Sequence, residues 1–313
     1  MSQSLSSIQS PATPPPAGPA PRRPPPRGSK HLIEIGPRTG WQAIDLRELW
    51  RSRDLLGMFA LRDIKVRYKQ TFFGYLWAVV VPAVQVLVFS VFFGSVLGVS
   101  DKVNAAAGKA LPYPLFALTG QIVWNFFQQT FNGASGSLMA NAGIIRKIYV
   151  PRLILPLASA GKPALDTAVV WLLMVGLTVW YAYDARFEVP LSWELLWSPL
   201  LLAGAVVPAL ALGLIAAALT VSYRDLQSVL PFITSMLFFV TPVIYSVELL
   251  PEGFEGLLFL NPICGFVEAH RGVTMGTAVN WWGLGISAYV SVVLLVFGAF
   301  LFTRIERRFA DVA

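Results

Sequence analysis

The chain holds one cysteine, Cys264, and two histidines, His31 and His270, among its 313 residues. A single cysteine closes no intrachain disulfide, and without a Cys/His cluster no metal centre is expected. Charge is scarce too. Only 13% of residues are Asp, Glu, Lys or Arg, against roughly 25% in ordinary globular domains. No Gly-x-x-x-x-Gly-Lys-Ser/Thr loop occurs. Gly108-Lys109 and Gly161-Lys162 lack the upstream glycine and the hydroxyl residue, so no ATP hydrolysis by this chain alone is expected. No Ser/His/Asp constellation stands out, and no carboxylate pair falls in an apolar run. Asp166 is the main acid inside such a run, with Lys162 one helical turn before it. That spacing allows an ion pair, and a coupling role is the alternative. Residues 1–30 lack an apolar core, so no secretory signal is expected there.

Apolar residues fill the space that charge leaves, at 55% of the chain. About 20 apolar residues cross a bilayer as a helix. Six stretches qualify, near 72–99, 114–137, 153–182, 198–221, 227–247 and 281–303. The fold expected is all-α and integral to the membrane, with six transmembrane helices. The net charge of +7 then reads as a topology signal rather than as nucleic-acid binding. With the amino terminus inside, cytoplasmic segments hold Arg146, Lys147, Arg152, Arg224, Arg304, Arg307 and Arg308. Outer segments hold only Lys102, Lys109, Arg186 and Arg271, against more numerous acids such as Asp184, Glu188 and Glu252. Both termini are expected in the cytoplasm.

Several connections carry patterns of their own. Residues 1–40 form a Ser/Pro-rich, basic tail that cannot bury enough apolar surface to order. Over 41–69, Leu46, Leu49, Trp50 and Leu56 fall opposite Arg47, Glu48, Arg51 and Asp54, which predicts an amphipathic interfacial helix. Its basic end, Arg62 to Lys69, directly precedes the first apolar stretch. A short basic piece around Arg146-Lys147 joins the second and third stretches. Residues 248–276 are too apolar for a solvated loop and too broken to span, so a re-entrant or interfacial helical pair turning at Asn261-Pro262 is expected. Small residues Gly133 to Gly136 allow close helix contact. Aromatic rings recur: Trp77, Phe89 and Phe92 in the first stretch, Trp124, Phe127 and Phe131 in the second, Phe238 and Tyr245 in the fifth. Such rings pack against the C–H faces of sugars, and equally against other helices.

Leu61-Arg62-Asp63-Ile64-Lys65-Val66-Arg67-Tyr68-Lys69-Gln70-Thr71, then Phe73-Gly74-Tyr75-Leu76-Trp77, resembles the opening of polysaccharide-exporting ABC permeases. Further likenesses are Ile145-Arg146-Lys147-Ile148-Tyr149-Val150-Pro151-Arg152, Tyr223-Arg224-Asp225-Leu226, Thr241-Pro242-Val243-Ile244-Tyr245 and Leu260-Asn261-Pro262, so the resemblance spans about residues 41–308. It implies a homodimer bound to two copies of a separate ATP-binding cassette subunit, which carries the ATP and Mg. It also implies a polyprenyl-diphosphate-linked glycan as cargo, undecaprenyl-linked O-antigen, capsule or teichoic acid, in the bacterial inner membrane among its lipids. By the same resemblance Ile145, Arg146, Lys147, Tyr149, Pro151 and Arg152 form a coupling helix seated on the ATPase. Arg62, Lys65, Arg67, Lys69, Phe73 and Gly74 form a gate for the lipid diphosphate, with Phe73-Gly74 where the family usually has Leu-Gly. Cations at that depth suit a diphosphate. The aromatic rings named above would line the channel.

Two other readings remain open from sequence, an ABC exporter permease for a small drug or lipid and a membrane glycosyltransferase. The missing phosphate loop makes a direct prediction. The purified chain, free of contaminating ATPase, should show no ATP turnover, and should gain it only in complex with a partner subunit. Hydrolysis by the isolated chain would refute this.

Overall fold

In a computed structural model of the chain, the described residues are 46–68, 76–145, 147, 150–189, 191, 193–223, 225–251 and 253–312. The tail 1–40 and the expected site residues Lys69, Phe73, Gly74, Arg146 and Tyr149 lie outside them. Every regular element among the described residues is helical. Helices α1 (Leu46–Arg51) and α2 (Arg53–Tyr68) follow one another with a break at Ser52. α3 (Leu76–Phe89) continues into a π-helical segment, Ser90–Val96, and α4 (Val99–Ala107) follows. Next come α5 (Tyr113–Ala140), α6 (Ala142–Ile145), α7 (Ile154–Ala158) and α8 (Gly161–Tyr183). A 3₁₀ turn at Trp193–Trp197 leads into α9 (Ser198–Gly204) and α10 (Val206–Ser222). α11 (Leu226–Val240), α12 (Glu255–Leu258), α13 (Cys264–Met275) and α14 (Trp281–Val312) complete the chain. Among the described residues, four stretches are long and apolar enough to cross a bilayer: Leu76–Val96, Ile154–Tyr183, Trp193–Ser222 and Trp281–Ile305. The chain is a multi-pass membrane protein.

The centre of the bundle is α5, packed against α10, α8, α13 and α3. It is buried along most of its length, yet it carries amide side chains, among them Gln121, Asn125, Gln128 and Gln129. Helices on the outside must present apolar surface to lipid; a helix enclosed by protein need not. Lipid tails remove the hydrophobic drive between helices, so close packing must hold them together. One close approach is between α5 and α10. A Cβ added at Gly213 would stand 2.6 Å from Cβ of Ala134, so a larger residue there would force the two helices apart.

A second apolar cluster lies at the α2 end of the bundle. Phe59 of α2 is buried against Leu138, Val150, Ile154, Leu214 and Phe302, with Leu49, Leu55 and Leu56 at its margin. Trp50 does not join Leu49 and Leu56 as the helical wheel predicts. It is 70% exposed, and the Arg53 guanidinium lies 5.2 Å from its ring centroid. The break at Ser52 ends the common helical register, so the wheel does not run through both helices.

Two further features depart from the pattern reading. Residues 99–107 form helix α4 where only a connection is expected. Helix α11 stops at Val240 rather than near 247, and residues 241–246 run without regular structure. The α5–α10 contact supplies a test. Gly213→Ala should lower the melting temperature of the detergent-purified protein, at a cost of about 1–3 kcal/mol for overpacking. Gly176→Ala has open space around its Cβ and should not. Equal melting temperatures would show that the approach is not needed.

Candidate functional site

The unwound segment after α11 exposes carbonyls that need donors, since a lost hydrogen bond in hydrocarbon costs several kcal/mol. Arg271 of α13 supplies them. Its Nη2 donates to Pro242 O at 2.7 Å and to Val243 O at 2.8 Å. Its Nη1 donates to Tyr245 O at 3.3 Å and to Glu268 Oε1 at 2.7 Å, where the charges pair. The guanidinium also lies over the Phe116 ring, 3.9 Å from its centroid. Tyr113 Oη donates to Ile244 O at 2.8 Å. Gly120 is what lets α5 come this close. A Cβ there would stand 2.5 Å from Val243 O and 2.8 Å from Arg271 Nη2.

The rest of α13 is fastened in the same manner. His270 Nδ1 bonds Thr119 O at 2.9 Å, and a carbonyl only accepts, so that nitrogen carries the proton. Its Nε2 then accepts from Ser198 Oγ at 2.9 Å, which in turn accepts from Trp171 Nε1 at 2.9 Å. At the Asn261-Pro262 turn, Asn261 Nδ2 donates to Thr241 Oγ1 at 2.9 Å. From α14, Ser287 donates to Phe259 O and Ser291 to Pro262 O. At the other end, Lys109 Nζ donates to Met275 O and Gly276 O, placing a cation at the C-terminus of α13. Burial pulls the Lys109 pKa down, opposed by Glu188.

Of the residues expected at the gate, Arg62, Lys65 and Arg67 lie on α2. The Arg62 side chain bonds Asp63 Oδ1 through Nη2 at 2.7 Å and Asn141 Oδ1 at 2.8 Å, and lies over the Phe59 ring. Lys65 is exposed, and the backbone of Arg67 continues α2. In the segment expected to couple, Ile144, Ile145 and Val150 pack toward the Phe59 cluster while Lys147 faces out. Pro151 and Arg152 open α7, their carbonyls accepting from Ile154 N and Leu155 N. Arg62 thus ties α2 to Asn141, where α5 gives way to this segment.

The expected channel rings mostly pack on one another inside the subunit. Trp124 meets Phe127 at 5.3 Å and Phe238 at 5.5 Å between ring centroids, Phe127 stacks on Phe131, and Phe89 on Phe238. Tyr245 Oη donates to Phe239 O and Val240 O. Phe92 is exposed. Trp77 borders a cavity of about 300 Å³ between α3, α5 and α8, whose polar lining is Gln85, Asn125, Gln128, Gln129, Asp166 and Thr167.

Residues 55–275 match the ABC-2 type transporter family. The chain belongs to that family. Among its relatives, an O-antigen export system permease protein, RfbA, of Klebsiella pneumoniae is 28% identical over 83% of this chain and 95% of its own length. The protein of the same name in Myxococcus xanthus is 26% identical over 85% of this chain and 98% of its own. A polysialic acid transport protein, KpsM, of Escherichia coli is 27% identical over 79% and 91%.

Two features of this ABC-2 chain escaped the pattern reading. Arg271 reads from sequence as an outer-loop charge, yet it is buried in the knot around α13. The amides of α5 drew no expectation from sequence. An Arg flanked by Phe266, Val267 and Val273 was the available sign, because a cation in an apolar run wants a partner within the fold. Arg271→Leu leaves three carbonyls without the donor they have here and Glu268 without its counter-charge, a loss of about 3–5 kcal/mol. Arg271→Lys keeps the charge but not the fork. Melting temperatures of the purified protein should fall in the order wild type, Lys, Leu. A Leu variant as stable as wild type would show that the clasp is dispensable.

Proposed function

We propose that this chain is the membrane subunit of an ATP-driven exporter that moves lipid-linked polysaccharide, of the O-antigen or capsule kind, across the bacterial inner membrane. The observation that carries this reading is the nearly full-length match to relatives named for O-antigen export and polysialic acid transport. The subunit has six spans: the four long apolar stretches, the enclosed α5, and the shorter α11 continued by its unwound end. Residues 41–308 make the permease domain, between a Pro-rich tail over 1–40 and a short cytoplasmic end at 309–313. Both termini face the cytoplasm. α12 and α13 form the re-entrant pair on the outer side. Two copies associate, and each binds a separate ATPase subunit that holds ATP and Mg.

Lys147 is an exposed cation on the segment between α5 and α7, which supports a coupling role for residues 145–152. The basic end of α2 lies beside it through the Arg62–Asn141 bond, so a lipid diphosphate gripped by Lys65 and its neighbours would be felt where the ATPase docks. An ion channel would need a ring of charge or carbonyls along a pore, and a drug exporter has no use for a basic gate.

The test is a charge reversal in the assembled transporter. Lys147→Glu should insert normally yet lose export and retain little ATPase on purification. Lys65→Ala should keep basal hydrolysis and lose most of its stimulation by a polyprenyl-diphosphate glycan, since a charge-assisted contact contributes about 1.5–3 kcal/mol. Unchanged co-purification and transport in the first variant would reject the coupling role. Full stimulation in the second would move the headgroup site elsewhere.

A further inference from the structure

We propose that the cavity between α3, α5 and α8 is a binding site for one uncharged sugar ring of the cargo. The proposal rests on the export reading above and specifies what the membrane interior recognises in that cargo. The cavity holds about 300 Å³, at the low end of the roughly 300–1,000 Å³ of small-molecule sites. That is room for a ring, not for a length of polymer.

The lining is built for hydroxyl groups. A carboxamide offers two N–H donors and an acceptor oxygen, and a sugar hydroxyl both gives and takes. Gln85, Asn125, Gln128 and Gln129 bring four carboxamides to one space, from two helices. Part of this set is already held in place. Gln85 Oε1 accepts from Gln121 Nε2 at 3.2 Å and from Asn125 Nδ2 at 3.3 Å, and Gln121 Nε2 also donates to Asn125 Oδ1 at 3.0 Å. Gln128 and Gln129 are half-buried, and among the described residues their side chains make no hydrogen bond with one another or with this group. A half-buried amide left unsatisfied at membrane depth is costly, so the cavity calls for polar content. Trp77, 45% exposed on its margin, adds an indole on which the C–H face of a pyranose can lie.

Charge narrows the ligand further. Asp166 supplies a carboxylate that accepts from hydroxyls, and none of the lining residues is basic. A diphosphate or an acidic sugar would meet no basic side chain in that lining. Bases stand instead on α2, which is near at hand: Gly161 of α8, five residues before Asp166, packs against Ala60. The anionic linker and the neutral ring are therefore recognised at adjacent but separate places.

The experiment uses the full-length chain in complex with its ATPase in lipid nanodiscs. Four probes are titrated by calorimetry: a short polyprenyl diphosphate, the same lipid bearing one neutral hexose, the same bearing one sialic acid, and a free methyl hexopyranoside. The neutral conjugate should bind about tenfold tighter than the bare lipid. Asn125→Leu and Gln129→Leu should bring that ratio to about one and leave the bare lipid's affinity unchanged. Asp166→Asn keeps the shape of the site, and should cut the preference for the neutral over the sialylated conjugate severalfold, which decides the matter if the Leu variants fail to assemble. A ratio that survives in both Leu variants, or equal wild-type affinity for neutral and acidic conjugates, overturns the proposal. Failure of every lipid probe, with the methyl glycoside still bound in wild type and lost in Gln129→Leu, rejects lipid-linked export and keeps the sugar site. Failure of the glycoside as well rejects both.

Discussion

Backbone groups at membrane depth must find their partners inside the protein, and at Thr241 this chain leaves the helical state that would provide them automatically. Everything around α13 follows from that. The guanidinium of Arg271 reaches the carbonyls of Pro242, Val243 and Tyr245, and Tyr113 takes Ile244. To stay charged in such a place Arg271 needs Glu268 beside it and the face of Phe116 beneath it. To come close enough it needs a residue without a side chain at position 120. The clasp therefore binds α5, α11 and α13 into one rigid knot.

The opposite end of the bundle is organised differently. There α2 packs on α7 and α8, holding on through Phe59 and a few leucines, while Lys65 and Lys147 stay at the surface. The knot is specific because the carbonyls of Pro242, Val243, Ile244 and Tyr245 each have a named donor. The α2 end is adaptable because apolar contacts have no direction. α5 runs between the two, enclosed on most sides, and so can carry the amides that border the cavity.

Much of this was legible in the residues. The apolar stretches at 72–99, 153–182, 198–221 and 281–303 correspond to long helices because hydropathy and length alone decide whether a segment suits a bilayer. Asn261-Pro262 marked a turn for local reasons, proline having no donor and asparagine able to cap the turn with its own side chain. The aromatics were found as residues but not as neighbours. Trp124, Phe127 and Phe238 turn their faces to one another inside the subunit, and periodicity reports only which face of one helix a ring is on. Trp50 was misplaced because no wheel registers a break at Ser52.

The sequence by itself determined that this is a helical membrane protein without a nucleotide loop, that its bases gather on short connections, and which residues close its turns. Those properties are local or additive, summed along the chain without regard to what lies across from them. Only the tertiary structure decided that Arg271 is a buried clasp rather than a loop charge, that Arg62 joins α2 to Asn141, and that the amides of α5 share a cavity with Asp166. Each of these depends on the distance between groups far apart in sequence, often on a gap as narrow as the missing side chain of Gly120. That distance is set by packing, to which every helix in the bundle contributes at once.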